Sequence, residues 1–160
     1  MLRRVRVRIV TDREEGKGSL FEGGTVTRAD KVEVEHMEMT VVARYHDDGV
    51  RVSVSWQETE ASGMAGSTTT VTYHRNEPEI VTMLRTGAVK TSLTFERGRR
   101  HYCAYQTPIM PFEVCVATDE LKNNIEGEGT LFLDYAVELR GATAERTRMR
   151  MTLLPDFDTP

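Results

Sequence analysis

Cysteine is scarce in this chain: two in 160 residues, Cys103 and Cys115. That is too few for the disulfide framework that holds small secreted domains together. Both thiols are therefore expected to be reduced and the protein cytoplasmic. Long apolar runs are missing too, and nothing approaches the roughly 18–20 residues needed to cross a bilayer as a helix. Arginines crowd the first residues, Met1 to Arg8, but no apolar stretch follows them, so they do not read as a signal peptide. Charge of one sign is weak. The formal net charge is −4 and the pI about 5.6, a balance that argues against nucleic acid as a partner.

Chemical motifs are equally scarce. No nucleophile elbow, phosphate loop or dinucleotide fingerprint is present, so no catalytic residue is assigned and an enzyme is not expected. His36, His46, His74 and His101 are scattered. His101 and Cys103 share one strand face, but no pairing at metal-ligand spacing supports them. No metal or other cofactor is expected.

What is present is period two. Val5, Val7 and Ile9 alternate with Arg4, Arg6 and Arg8. Val52, Val54 and Trp56 alternate with Ser53, Ser55 and Gln57, and Leu131 to Leu139 and Thr147 to Leu153 follow the same rule. Such alternation describes strands with one buried face. Asp48-Gly49, Arg97-Gly98 and Arg140-Gly141 read as tight turns. Residues 11–31, with four glycines, read as a long loop or hairpin excursion. Between Val32 and Tyr45 the apolar parity shifts by one, which predicts a β-bulge or a break. Residues 118–125 suggest one turn of helix after a Thr118 or Asp119 cap. Pro108 and Pro111 bracket a bend.

The result is an all-β chain of eight to ten strands with no helix to carry a parallel crossover, hence mainly antiparallel. A meander of this length removes its exposed edges by closing. The fold expected is one closed antiparallel meander barrel domain over residues 1–154, with a frayed tail at 155–160. A two-sheet sandwich is the alternative.

Several stretches carry a family likeness. Trp56-Gln57-Glu58 is followed by Ser62-Gly63 and a Thr-rich strand. Then come Leu84-Arg85-Thr86-Gly87-Ala88-Val89, Phe95, Tyr105-Gln106-Thr107-Pro108, Gly129-Thr130-Leu131 and Asp134-Tyr135. Over roughly Val50 to Leu153 this order resembles the YwiB-like family, bacterial domains of unknown function with a calycin-like β-barrel. The family usually has Tyr in place of Trp56 and often a Gly near Met110. The resemblance implies a barrel whose interior is related in shape to those of lipocalins and fatty-acid-binding proteins. It implies no activity.

Parity places Val52, Val54, Trp56, Thr91, Leu93, Phe95, Leu133, Tyr135, Val137, Met149 and Met151 inside. Arg85 shares parity with Val81 and Met83 and should also point inward. A buried guanidinium needs a partner, and Glu58, on the parity of Trp56, is the candidate. One reading is a structural Arg85–Glu58 pair closing one end of the barrel. The other is an anchor for a small anionic or amphipathic ligand, with Tyr105 and Tyr135 as hydroxyl donors and Trp56 in the wall.

Two further readings concern the outside. A filled barrel would point to an interaction module, a homodimer or a partner-protein contact. Arg4, Arg6 and Arg8 on the first strand and Arg146, Arg148 and Arg150 on the last would merge into one basic stripe if those strands pair, and nucleic-acid binding through these arginine ladders is the weaker alternative. Like charges directly opposite destabilise a sheet, so Asp134, Glu138 or the Glu33, Glu35 and Glu38 set should interleave.

Overall fold

A computed structural model describes residues 2–16, 32–62, 64–87, 90–106 and 109–154. Ten strands follow in order: β1 (Leu2–Gly16), β2 (Val32–Asp47), β3 (Arg51–Gln57), β4 (Thr68–His74), β5 (Ile80–Thr86), β6 (Lys90–Glu96), β7 (Arg100–Gln106), β8 (Pro111–Asn124), β9 (Thr130–Leu139) and β10 (Ala142–Leu154). A single 3-10 turn, Glu60–Ser62, lies between β3 and β4. Each strand pairs antiparallel with the next, and β1 pairs with β10 to close the barrel. Closure excludes the sandwich.

The alternation does what it should. Val5, Val7 and Ile9 are buried while Arg4, Arg6 and Arg8 are exposed. Val52, Val54, Trp56, Thr91, Leu93, Phe95, Leu133, Tyr135, Met149 and Met151 all point into the core, and Val137 is half-buried against it. Each large apolar side chain withdrawn from water contributes about 1.5–3 kcal/mol.

Turn chemistry sets the register. At the β2–β3 turn, Gly49 has φ +89°, and Oδ1 of Asp48 accepts from the amides of Val50 and Arg51. At the β9–β10 turn, Arg140 and Gly141 both have positive φ (54° and 83°) between the paired Leu139 and Ala142. Those are the signs a two-residue hairpin of the twist-matched kind requires.

Two sequence expectations are corrected and one is given its bounds. The loop or hairpin excursion expected over residues 11–31 starts later, because β1 runs to Gly16, and β1 and β2 pair without interruption from Leu2↔His46 to Gly16↔Val32. The tip, residues 17–31, lies outside the described residues, as does the 155–160 tail. The bulge or break expected between Val32 and Tyr45 does not occur. The same unbroken ladder spans it, and the apparent shift arises because Val34 is an outward valine, 63% exposed. The helical turn expected over residues 118–125 is strand: β8 continues to Asn124, with a register shift between Thr118 and Glu120. That irregularity disturbs the period and mimics a helical start. The bend between Pro108 and Pro111 is a hairpin closed by Gln106↔Pro111, with Pro108 itself outside the described residues.

The two ends of the barrel differ. At one end Tyr45, Tyr73, Phe95, Leu121 and Ile125 fill the interior. There the Tyr73 hydroxyl donates to Glu126 at 2.9 Å, and Arg75 bridges Glu126 at 2.6 Å and Asp47 at 3.0 Å. Burial, reinforced by the hydrogen bond to Glu126, pushes the Tyr73 phenol well above its ordinary range. The other end is open.

Candidate functional site: the open end of the barrel

A cavity of about 310 Å³ occupies that end. Eight strands close around little more than their own side chains, and additional strands leave room. The walls are mostly apolar: Ile9, Trp56 and Leu93, with Met37, Met39, Met64, Met83 and Met149. Five of the eight methionines in the chain line this space. Methionine is flexible and polarisable, so such a wall adapts to different shapes. Ala61, Ser62 and Met64 form part of the rim, and the Thr59 hydroxyl lies 3.6 Å from Sδ of Met39.

All five residues singled out from the sequence line this one cavity: Trp56, Glu58, Arg85, Tyr105 and Tyr135. Trp56 lies near the end of β3 as an inward side chain, and Glu58 follows two residues later on the same face. The Trp56 indole N–H donates to Oε2 of Glu58 at 3.0 Å. The Thr69 hydroxyl, from the neighbouring β4, donates to the same oxygen at 2.5 Å. Arg85 reaches in from β5. Its Nε donates to Thr69 Oγ1 at 3.1 Å, and Nη2 lies 4.0 Å from Oε2 of Glu58. At that distance the pair is a Coulombic contact rather than a hydrogen bond. Thr69, fully buried, is therefore the bridge between acid and base. Sequence reasoning missed it, because in the run Thr68-Thr69-Thr70 nothing marks the middle one except its parity with Val71.

The Glu58 side chain is only 3% exposed, against 20% for Arg85. Its Oε1 has no hydrogen-bond partner among the described residues. Buried polar atoms without partners are uncommon and costly.

Tyr135 faces this layer from β9 and stacks obliquely on Phe95, ring centroids 4.6 Å apart. Burial, with the charge of Glu145 nearby, pushes its phenol up to about 12, while Arg85 and the Thr147 hydroxyl pull the other way. It stays neutral at physiological pH and can both donate and accept. Tyr105, on β7, stacks on Phe112 at 4.9 Å and forms part of the wall. Arg13, Glu35 and Glu145 complete the charged lining, with Arg13 and Glu35 paired at 2.7 Å.

Outside, β1 and β10 bring the two arginine ladders onto adjacent strands, but in staggered register: Asp12 lies opposite Arg148, and Glu14 opposite Arg146. Acids interleave as expected. Arg8 pairs with Glu38 at 2.7 Å, Arg100 with Glu138, Arg146 with Asp119 and Asp134, and Arg148 with Asp134 at 3.4 Å. Arg150 covers the Phe132 ring, 5.1 Å from its centroid. Among the described residues no group of three or more His, Cys, Asp or Glu is arranged to hold a metal. His101 bonds Glu96 at 3.0 Å, and Cys103 and Cys115 are buried and unbridged.

Fold and site together define an up-and-down, ten-stranded β-barrel, filled at one end and hollow at the other. The chain belongs to the family described as domain of unknown function (DUF1934), whose match covers residues 22–151. The crystal structure of the ywiB protein from Bacillus subtilis is similar over 94% of this chain and 93% of that one, at a TM-score of 0.62 and 14% identity. That likeness shows a shared fold. No curated protein matches the chain. No helix among the described residues is long and apolar enough to cross a membrane.

Proposed function

We propose that this protein is a calycin-like, non-catalytic binding protein that holds a small amphipathic ligand in the open end of its barrel, in the cytoplasm. The observation that carries the reading is the cavity itself: about 310 Å³, apolar in its walls, with Arg85, Glu58 and Tyr135 among its few polar groups. Pockets for small ligands have this composition, an apolar body with a few fixed polar groups. Arg85 supplies the cation for an acidic head, Tyr135 and Tyr105 supply hydroxyls, and the methionines accommodate the tail. Two unbridged thiols suit a reducing compartment. The test is native mass spectrometry of the purified protein beside its denatured mass. A bound non-covalent species that is lost in Arg85→Ala supports the reading. A protein that stays empty after exposure to cell extract and to amphipathic probes argues against it.

A second reading has its own observation. Next to the Gln106↔Pro111 closure of the β7–β8 hairpin, Ile109 (90%) and Met110 (60%) are exposed. Exposed apolar side chains at a hairpin tip suit contact with a second copy of the chain or another protein. Sedimentation across a concentration series separates the two readings. A dimer broken by Ile109→Asp, together with an empty cavity, favours association. A monomer carrying ligand favours binding.

A further inference from the structure

Three carboxylates and two guanidiniums line the cavity: Glu35, Glu58, Glu145, Arg13 and Arg85. Arg13 is matched by Glu35. Arg85, the group able to receive an anion, already has the Glu58 carboxylate 4.0 Å away. The lining thus offers no surplus of positive charge, and a bare anion seated on Arg85 would sit beside a fixed negative charge. Glu58 is also half-used. One oxygen takes the Trp56 and Thr69 donors, while Oε1 is withdrawn from water and takes none among the described residues. Arg85 does not complete it: its Nε donates to Thr69, and its Nη2 stands 4.0 Å from the other carboxylate oxygen, Oε2.

We infer that the head group of the ligand carries both signs of polarity: a carboxylate or equivalent acceptor for Arg85, and an N–H or O–H donor for Oε1 of Glu58. The ligand class is a zwitterionic or amino-bearing amphiphile with an apolar tail, rather than a simple fatty acid. This inference rests on the ligand-binding reading above and narrows it. A hydrogen bond to a buried charged group is worth enough to shift affinity by about tenfold or more.

Three probes of equal tail length test it: octanoate, octylamine and 2-aminooctanoate, titrated into the wild-type protein by calorimetry. The expected order places 2-aminooctanoate at least about tenfold tighter than either of the others. In Glu58→Gln, which keeps side-chain size, the advantage over octanoate should fall to about twofold or less, since the carboxylate charge that holds the ammonium is gone. The wild-type comparison stands even where that variant fails to fold. Octanoate binding as tightly as 2-aminooctanoate in the wild type overturns the two-sign head group and leaves the binding barrel standing. Octylamine binding as tightly as 2-aminooctanoate also overturns it, because Arg85 then contributes nothing. No binding by any of the three overturns both readings.

Discussion

Gly87 packs directly on Ser67: a Cβ built on Gly87 would lie 2.6 Å from the Ser67 Oγ and 3.1 Å from its Cα. The backbone of Gly87 also has φ +154°, which side-chain-bearing residues rarely adopt. Ser67 is buried, and its carbonyl accepts from the amide of Glu58 at 2.8 Å. The glycine that follows β5 thereby supports the backbone that positions the buried acid.

Gly87→Ala should therefore cost about 1–3 kcal/mol in urea unfolding, from strain and close contact together. Ser67→Ala should relieve only the Oγ contact. In the double variant the loss should be smaller than the sum of the single losses, because the two sites share one contact. Strict additivity would show that the close approach has no energetic weight.

Removing the acid should hurt more than neutralising it. Glu58→Ala leaves the Trp56 indole N–H and the Thr69 hydroxyl without their acceptor and leaves Arg85 without its nearby charge. A loss of about 2–4 kcal/mol is expected. Glu58→Gln keeps an acceptor in place and should cost roughly half as much or less. Equal losses in chemical denaturation would mean that the charge, not the hydrogen bonding, fixes this corner.

The single tryptophan reports on the site. Trp56 is 4% exposed and sits in the cavity wall with its N–H bound to Glu58. Its emission should be blue-shifted and poorly quenched by iodide. Filling the cavity should change intensity without unfolding, whereas Glu58→Gln should shift the emission maximum with the fold intact. Strong iodide quenching in the native protein would contradict the enclosed position.

On the outside, His36 lies between Glu38 at 2.9 Å and Asp12 at 2.5 Å. Its hydrogen bonds to Glu38 and then Asp12 raise its pKa above the ordinary 6.5. A raised folded-state pKa stabilises most below the unfolded value and loses that contribution as pH rises through the folded one. Hydrogen bonds from His36 and then Arg8 lower the Glu38 pKa below 4.5, so that part is present above 4.5 and lost as pH falls through the lowered value. The melting-temperature gap between wild type and His36→Gln should be widest near pH 5–6 and narrow in both directions. A gap that is flat from about pH 5 to 9 would show that the histidine does not titrate against these acids.

Alternation made the barrel legible. In Val52-Ser53-Val54-Ser55-Trp56 each step of two is a choice of face, and the structure keeps every choice. The same rule brought Arg85 and Glu58 to one interior, because a charge at core parity must go somewhere. Parity fails where both faces carry apolar residues. Val34 and Val42 are exposed on β2, so a faultless ladder looked like a shifted one. It fails again at residues 118–120, where an irregularity hides inside a long strand. Period two also assigns direction but not volume. Nothing in the spacing of Met37, Met39, Met83 and Met149 says that they surround space rather than one another. Thr69 was hidden for a related reason: its importance lies in joining residues 58 and 85, a relation that only the pairing of β3, β4 and β5 creates.

The ladder between β1 and β10 sets Ile9 opposite Met151, near the two extremes of the chain. Such a contact spans nearly the whole chain and is among the least local pairings in the barrel. The hollow end takes its wall from β1, β2 and β10 as well as from the middle strands. Its enclosure therefore depends on that seam: a chain that has formed every hairpin but not the β1–β10 ladder has no enclosed interior to offer.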